Sequence, residues 1–272
     1  MNKKIFLLLI ILLSVFVAVV SLGGIFIPEM YVRETGDWQA QSIGQDLFDL
    51  FLGVPMLLLS ALFFLRGSRS AFFILTGILI FFIYTFIIYT LGLHFNRFFL
   101  LYCFTLGLSC YLLIYLLWQT GSENVRSWFI LQRSVLMPVL YLMFFALLFC
   151  VLWLSEIVPA LLNGVAPSVL DQTGLLTNPV HVLDLSFLLP GFMITAYLLQ
   201  KRHSLGYVFT PAIMTFSIVM TLSIATLIVY EISKGYATDY TPAIAMTVFA
   251  MVSIVMFKYF TRKLKDNISK II

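Results

Sequence analysis

Eight long apolar runs dominate the chain, at about 5–27, 46–65, 70–93, 98–119, 134–155, 182–200, 205–230 and 241–258, with short polar stretches between them. Each is close to the ~20 residues that a helix needs to cross the hydrocarbon core of a bilayer. The pattern predicts an all-α, polytopic transmembrane bundle of eight helices, a single transmembrane domain over residues 1–272. Lys3 and Lys4 precede the first run as they would in a signal peptide. Its apolar core, however, exceeds the roughly 7–15 residues of such a segment. An uncleaved anchor is expected, with Ser21-Leu22-Gly23 the one stretch open to processing.

Composition closes off the alternatives. With 62% of residues hydrophobic and 10% charged, against roughly half and a quarter in soluble domains, a water-soluble fold is excluded. Placing both termini in the cytoplasm puts thirteen Lys and Arg inside and three, Arg33, Arg97 and Lys234, outside. Of the acids, Glu123 and Asp266 fall inside and the other ten outside, for net charges of +11 and −7. Cytoplasmic loops carry that excess of basic residues, and the expected location is the cytoplasmic membrane of a bacterium. The overall charge of +4 forms no basic stripe, so nucleic acid is not an expected partner. Cys103, Cys110 and Cys150 lie in apolar runs without Cys-x-x-Cys spacing and read as small hydrophobes. Trp38 and Trp153 fall at the outer interface and Trp118 and Trp128 at the inner one, as in aromatic belts.

The second and sixth runs share a spacing. Asp46-x-x-Asp49, Pro55 and Arg66 match His181-x-x-Asp184, Pro190 and Lys201 at an offset of 135 residues, about half the chain. Both copies run outside to inside, which predicts a parallel repeat of four plus four helices, with halves 1–133 and 134–272.

No ionisable residue falls near the middle of a run, which argues against a proton relay at the midplane. The ionisable groups instead collect at the outer mouth: Asp46, Asp49, His94, Glu156, His181, Asp184 and Glu231. Ser42-Ile43-Gly44-Gln45 has the form of a capping box, which places Asp46 in the first turns of its helix, where the macrodipole favours an anion. Asn178-Pro179 reads as a cap followed by proline in the first helical position, with His181 in the first turn and Asp184 in the second. Asp49 and Asp184 lie deeper than capping explains and need a partner or water. Glu156 and Glu231 end outward-running helices, where a carboxylate is disfavoured; His181, Arg33, Arg97, Lys234 or a bound cation are the groups available to compensate them.

Two readings of this mouth compete: a solvated rim of ordinary acids, or a site where Asp49, His181 and Asp184 meet across the halves. Ligands three residues apart on two helices resemble the paired carboxylate and histidine motifs of metal-binding bundles, and a divalent zinc, manganese or iron ion suits that set. Without metal, the same acids suit a cationic solute or a lipid headgroup amine, or an acid–base pair.

Other features carry further expectations. The hydroxyls of the seventh run, from Thr210 to Thr226, read as helix-packing contacts ahead of a polar path. Tyr84, Tyr89, Tyr102, Tyr111 and Tyr115 each call for an acceptor. Pro55, Pro138, Pro190 and Pro211 mark kinks. The outer segment 156–181 is rich in Leu, Val, Pro and Gly and is expected to lie on the bilayer or to fold back over the mouth. The inner loop with Trp128, Phe129 and Leu131 reads as an interfacial anchor, and the tail from Arg262 to Lys270 suits anionic lipid.

The stretch Thr173-Gly174-Leu175-Leu176-Thr177-Asn178-Pro179-Val180-His181-Val182-Leu183-Asp184, continuing to Pro190, resembles a segment of uncharacterised bacterial integral membrane proteins. That resemblance implies no activity and adds weight only to His181 and Asp184. The leading functional expectation is a permease-like or solute-binding protein, by analogy with other bundles of this size. The alternatives are a membrane-embedded enzyme acting on a lipid or lipid-linked substrate at the outer leaflet, and a non-catalytic sensor or assembly partner.

Overall fold

The computed structural model describes residues 2–120, 124–129, 134–262 and 264. Eight helices in it are long and apolar enough to cross a membrane: α1 Lys3–Phe26, α2 Gly36–Leu65, α3 Arg69–Gly92, α4 Phe99–Thr120, α5 Leu136–Asn163, α6 Pro179–Gln200, α7 Ser204–Ser233 and α8 Thr241–Thr261. The chain is a multi-pass, all-α membrane protein whose lipid-facing surface is paved with exposed Leu, Phe, Ile and Val, as a hydrocarbon solvent requires. Glu123, Leu131, Arg133, Lys263, Lys265, Asp266 and Lys270 lie outside the described residues, and with them parts of the inner loop and the tail.

The helix boundaries depart from the apolar runs where polar residues continue a helix beyond the bilayer. α2 begins ten residues before Asp46, capped by Thr35, whose Oγ1 accepts from Trp38 N at 3.3 Å. Ser42 is therefore not a cap: its hydroxyl donates to Trp38 O at 2.8 Å inside the helix. Asp46 sits in the third turn, beyond the reach of the macrodipole. α5 likewise continues to Asn163 and closes on Gly164 in the left-handed region, at φ 64°, where glycine carries no Cβ penalty. The first helix is an integral part of the bundle, with Phe6, Ile10, Leu13 and Val17 fully buried.

The offset of 135 residues recurs in the geometry. π-helical segments interrupt α2 at Asp49–Gly53 and α6 at Asp184–Leu188, each closed by a bond back five residues, Val54 N to Asp49 O and Leu189 N to Asp184 O. Pro55 and Pro190 come next at the same place. Proline has no N–H and its ring clashes with the carbonyl one turn back, so a wider turn just before it relieves the clash. The turns into α3 and α7 also match: Gly67 and Arg202 have positive φ, and Ser68 N to Phe63 O pairs with His203 N to Leu198 O.

Packing obeys the same relation. α1 packs on α2 and α4, α2 on α3, and α3 on α4; α5 packs on α6 and α8, α6 on α7, and α7 on α8. Between the halves, α3 crosses α7, α2 packs on α7, and the start of α6 packs on α3. Gly77 and Ala212, themselves 135 apart, meet where α3 and α7 cross: a Cβ at Gly77 would stand 2.5 Å from Ala212 O. Gly44 touches Leu227 just as Pro179 touches Gly92, the same pair of positions exchanged between halves.

The tryptophans correct the belt expectation. Trp118 is 80% exposed and faces the surroundings. Trp38 is buried and donates to Gly92 O at 3.0 Å, while Trp153 turns into the bundle. Trp128 and Phe129 do not anchor the inner loop in lipid. Both are buried, Trp128 against Phe72, Phe73 and the Arg69 guanidinium, and Phe129 against Tyr207 and Phe260. Burial of a ring this large is worth more inside the bundle than at its rim, and the pair plugs the inner end.

Candidate functional site

A cavity of about 330 Å³ opens between α2, α3, α5, α6 and α7, a volume typical of small-molecule sites. Its deepest walls are Phe145, Phe192 and Phe216, with Leu188, Leu189 and Met220 around them. At its outer end stand Glu156, His181 and Asp184. The segment between α5 and α6 does fold back over this mouth: the short helix Ser168–Thr173 presents Val169 and Thr173 to the cavity.

Asn178 caps α6 as the sequence indicates, its side chain accepting from Val180 N at 2.9 Å, with Pro179 in the first helical position. His181 thereby projects from the first turn. Its Nε2 lies 3.7 Å from Glu156 Oε2, and its ring packs at 4.6 Å against Trp153, tilted by 48°. His181 thus faces Glu156, which lies about two turns before the end of α5 at Asn163 and so beyond the reach of the helix terminus that its place at the end of the apolar run suggests. Asp184, one turn deeper, is held by two neutral donors: Trp153 Nε1 gives to Oδ2 at 2.7 Å, and Tyr84 Oη to Oδ1 at 2.9 Å. An indole N–H can only donate, so the carboxyl is an acceptor here.

The remaining candidates lie elsewhere. Asp46 and Asp49 are buried between α1, α2 and α3 and do not line the cavity. Tyr31 and Tyr89 donate to the two oxygens of Asp46 at 2.6 and 3.0 Å; burial and the neighbouring Asp46 hold the Tyr31 phenol well above its ordinary range, so it remains a donor. Glu231 meets no basic partner among the described residues. It sits beside Asp37 and Gln41, while Lys234 stands over the Tyr230 ring. His94 pairs with Glu34 at 3.1 Å, away from the cavity.

The expected meeting of Asp49, His181 and Asp184 does not occur. The two aspartates hold equivalent places in opposite halves, so each faces its own side of the α3–α7 pair. Among the described residues no three His, Cys, Asp or Glu side chains gather as metal ligands.

The halves explain why only one side is hollow. The positions 135 residues before Glu156, His181 and Asp184 are Ser21, Asp46 and Asp49, so the two clusters are counterparts. In the first half α3 carries the buried rings of Phe82, Phe86 and Tyr89, with Phe82 against Gly53 beside Asp49 and Tyr89 also reaching the cavity. Their counterparts on α7 are Ser217, Thr221 and Ile224, and all three line the cavity. Smaller side chains leave the space that rings occupy on the other side.

The hydroxyls of α7 do not continue the cavity inward. Thr210, Thr215, Ser217 and Thr221 each donate to the carbonyl one turn back, the packing behaviour of such residues in membrane helices. Trp128 and Phe129 are buried at the inner end of the bundle and do not line the cavity. Trp153, Tyr84, Gln45 and Ser217 are site residues that spacing alone did not single out; comparing all of α3 with α7 at the shared offset exposes the Phe82 to Ser217 exchange. The chain matches no family model, no curated protein and no solved structure, and the functional reading rests on this geometry.

Proposed function

We propose that this multi-pass protein is a permease-like, solute-binding protein of a bacterial cytoplasmic membrane, and that its ligand is an amphipathic amine. The observation that carries the reading is the cavity, predominantly apolar in its lining and bearing two carboxyl groups and one imidazole at its mouth. An alkyl chain against Phe145, Phe192 and Phe216 gains roughly 0.8 kcal/mol per buried CH₂. A cationic head suits the end, where two acids face one histidine. The distribution of basic residues supports an outward-facing mouth. The amine belongs either to a free cationic solute or to a lipid headgroup.

A second reading, an enzyme acting on a lipid-linked substrate at the outer leaflet, draws on the His181–Glu156 pair, which suits proton transfer at a bound head.

Binding is tested on the purified protein with dodecylamine and lauric acid, read by quenching of tryptophan fluorescence with brominated analogues. Saturable binding of the amine, weakened roughly tenfold or more by Ser217→Phe and by Asp184→Asn, supports the proposal. Equal binding of both probes, or binding that Ser217→Phe leaves unchanged, refutes it.

A further inference from the structure

The counterpart cluster in the first half is sealed, and it contains oxygens that no protein group satisfies. Ser21, Asp46 and Asp49 are all buried, at 1%, 0% and 1% exposure. Asp49 Oδ1 accepts from Gln45 Nε2 at 2.9 Å, and Gln45 Oε1 in turn accepts from Ser223 Oγ, which fixes the amide orientation. Asp49 Oδ2 has no hydrogen-bond partner among the described residues. Neither has Ser21 Oγ, which lies next to the Asp46 carboxyl but outside hydrogen-bonding geometry.

Ser21 and Asp49 fall at matching depth on neighbouring helices, with the Asp46 carboxyl beside Ser21. α1 and α2 run antiparallel, and Gly24 of α1 packs so closely on Asp46 that a Cβ there would overlap Oδ2. Ser21 and Asp49 each lie three residues, or about one turn, further in from that contact. No basic side chain pairs with either acid among the described residues. The titratable groups that face the pair from the adjoining elements are the phenols of Tyr31, Tyr89 and Tyr102, none of which supplies positive charge.

Two carboxylates sealed in a low dielectric with only neutral donors are costly. A buried acceptor left unmade adds to that cost. A small cation on Asp49 Oδ2, with Asp46 and Ser21 beside it, satisfies the open acceptor and offsets part of the charge. The donors are hard oxygens, and with no third acidic or histidine ligand beside them among the described residues the set suits a singly charged cation better than a divalent one.

We propose that Ser21, Asp46 and Asp49 form a binding site for a monovalent cation, a sodium ion or a proton, within the first half of the bundle. The site shares no acid with the cavity and stands whether or not the cavity takes an amine. Gln45 nevertheless joins them: it holds Asp49 on one side and lines the cavity on the other.

The test is thermal unfolding of the full-length protein in detergent micelles, with sodium chloride exchanged for choline chloride at constant ionic strength, and separately with pH varied in choline alone. Ligands that bind only the native state raise the midpoint saturably. For sodium, the midpoint rises with sodium and not with choline, and Ser21→Ala weakens the apparent affinity roughly tenfold, while Asp49→Asn abolishes the response. For a proton, sodium has no effect and the midpoint falls as pH rises, because the native state loses its bound proton; Asp49→Asn flattens that slope. Asp184→Asn leaves either response in place. A midpoint that ignores sodium, with the same pH slope in wild type, Ser21→Ala and Asp49→Asn, overturns the proposal. If Asp49→Asn does not fold, Ser21→Ala carries the test: it weakens the sodium response in the first case and alters the pH slope in the second, and the absence of both changes overturns the proposal.

Discussion

Tyr84→Phe removes a single hydroxyl from the cavity wall and leaves one oxygen of a buried carboxyl without its donor. Tyr84 Oη donates to Asp184 Oδ1 at 2.9 Å while Trp153 Nε1 occupies Oδ2 at 2.7 Å, and Asp184 is only 6% exposed. A hydrogen bond to a charged acceptor contributes roughly 1.5–3 kcal/mol, against about 1 kcal/mol for a neutral pair. With both oxygens accepting, Asp184 behaves as the charged acceptor, so Tyr84→Phe is expected to cost about 1.5–3 kcal/mol. Asp184→Ala leaves two buried donors unpaired at about 1–3 kcal/mol each and should cost more than either donor's removal. The decisive measurement is the double-mutant cycle, read by denaturant unfolding in micelles. In the Asp184→Ala background the hydroxyl has already lost its acceptor, and Tyr84→Phe should cost little or even stabilise. If Tyr84→Phe costs the same in both backgrounds, the hydroxyl and the carboxyl are not coupled and the assigned bond contributes nothing to stability.

Two further expectations concern the fold and its threading. Gly77→Ala pushes a Cβ to 2.5 Å from Ala212 O and Thr215 Cβ and should destabilise by about 1–3 kcal/mol, whereas Gly107→Ala, with open space around it, should stay within about 0.5 kcal/mol; equal stabilities would contradict the close crossing of α3 and α7. Asp171→Cys, in a chain whose native cysteines are replaced by Ala, should react with an impermeant maleimide from the outer face of the membrane, since Asp171 is exposed on the helix above the mouth; labelling only from the cytosolic face would reverse the threading.

The crossings are legible because apolar length is what a bilayer selects, and the runs locate eight helices. The outer end of α2 escapes for the opposite reason: Gly36 to Gln45 is polar, and hydropathy cannot see a helix that rises out of the lipid. Spacing alone consequently gives Asp46 a capping position, where two phenols hold it instead. The tryptophans show a second limit. Position along a helix sets depth, but not whether a ring turns outward, as Trp118 does, or inward to a carboxylate, as Trp153 does. His181, Glu156 and Asp184 can be named from spacing and charge. Asp49 cannot be separated from them, because a sequence offset says that two positions are alike and not how far apart they stand. Tyr84 is marked as needing an acceptor, and only the packing of α6 on α3 identifies it as Asp184.

The exchange of a ring at Phe82 for a hydroxyl at Ser217 gives the polypeptide one chamber where its layout provides two stations. An amine bound in that chamber is therefore expected to saturate at one molecule per chain, however many copies associate.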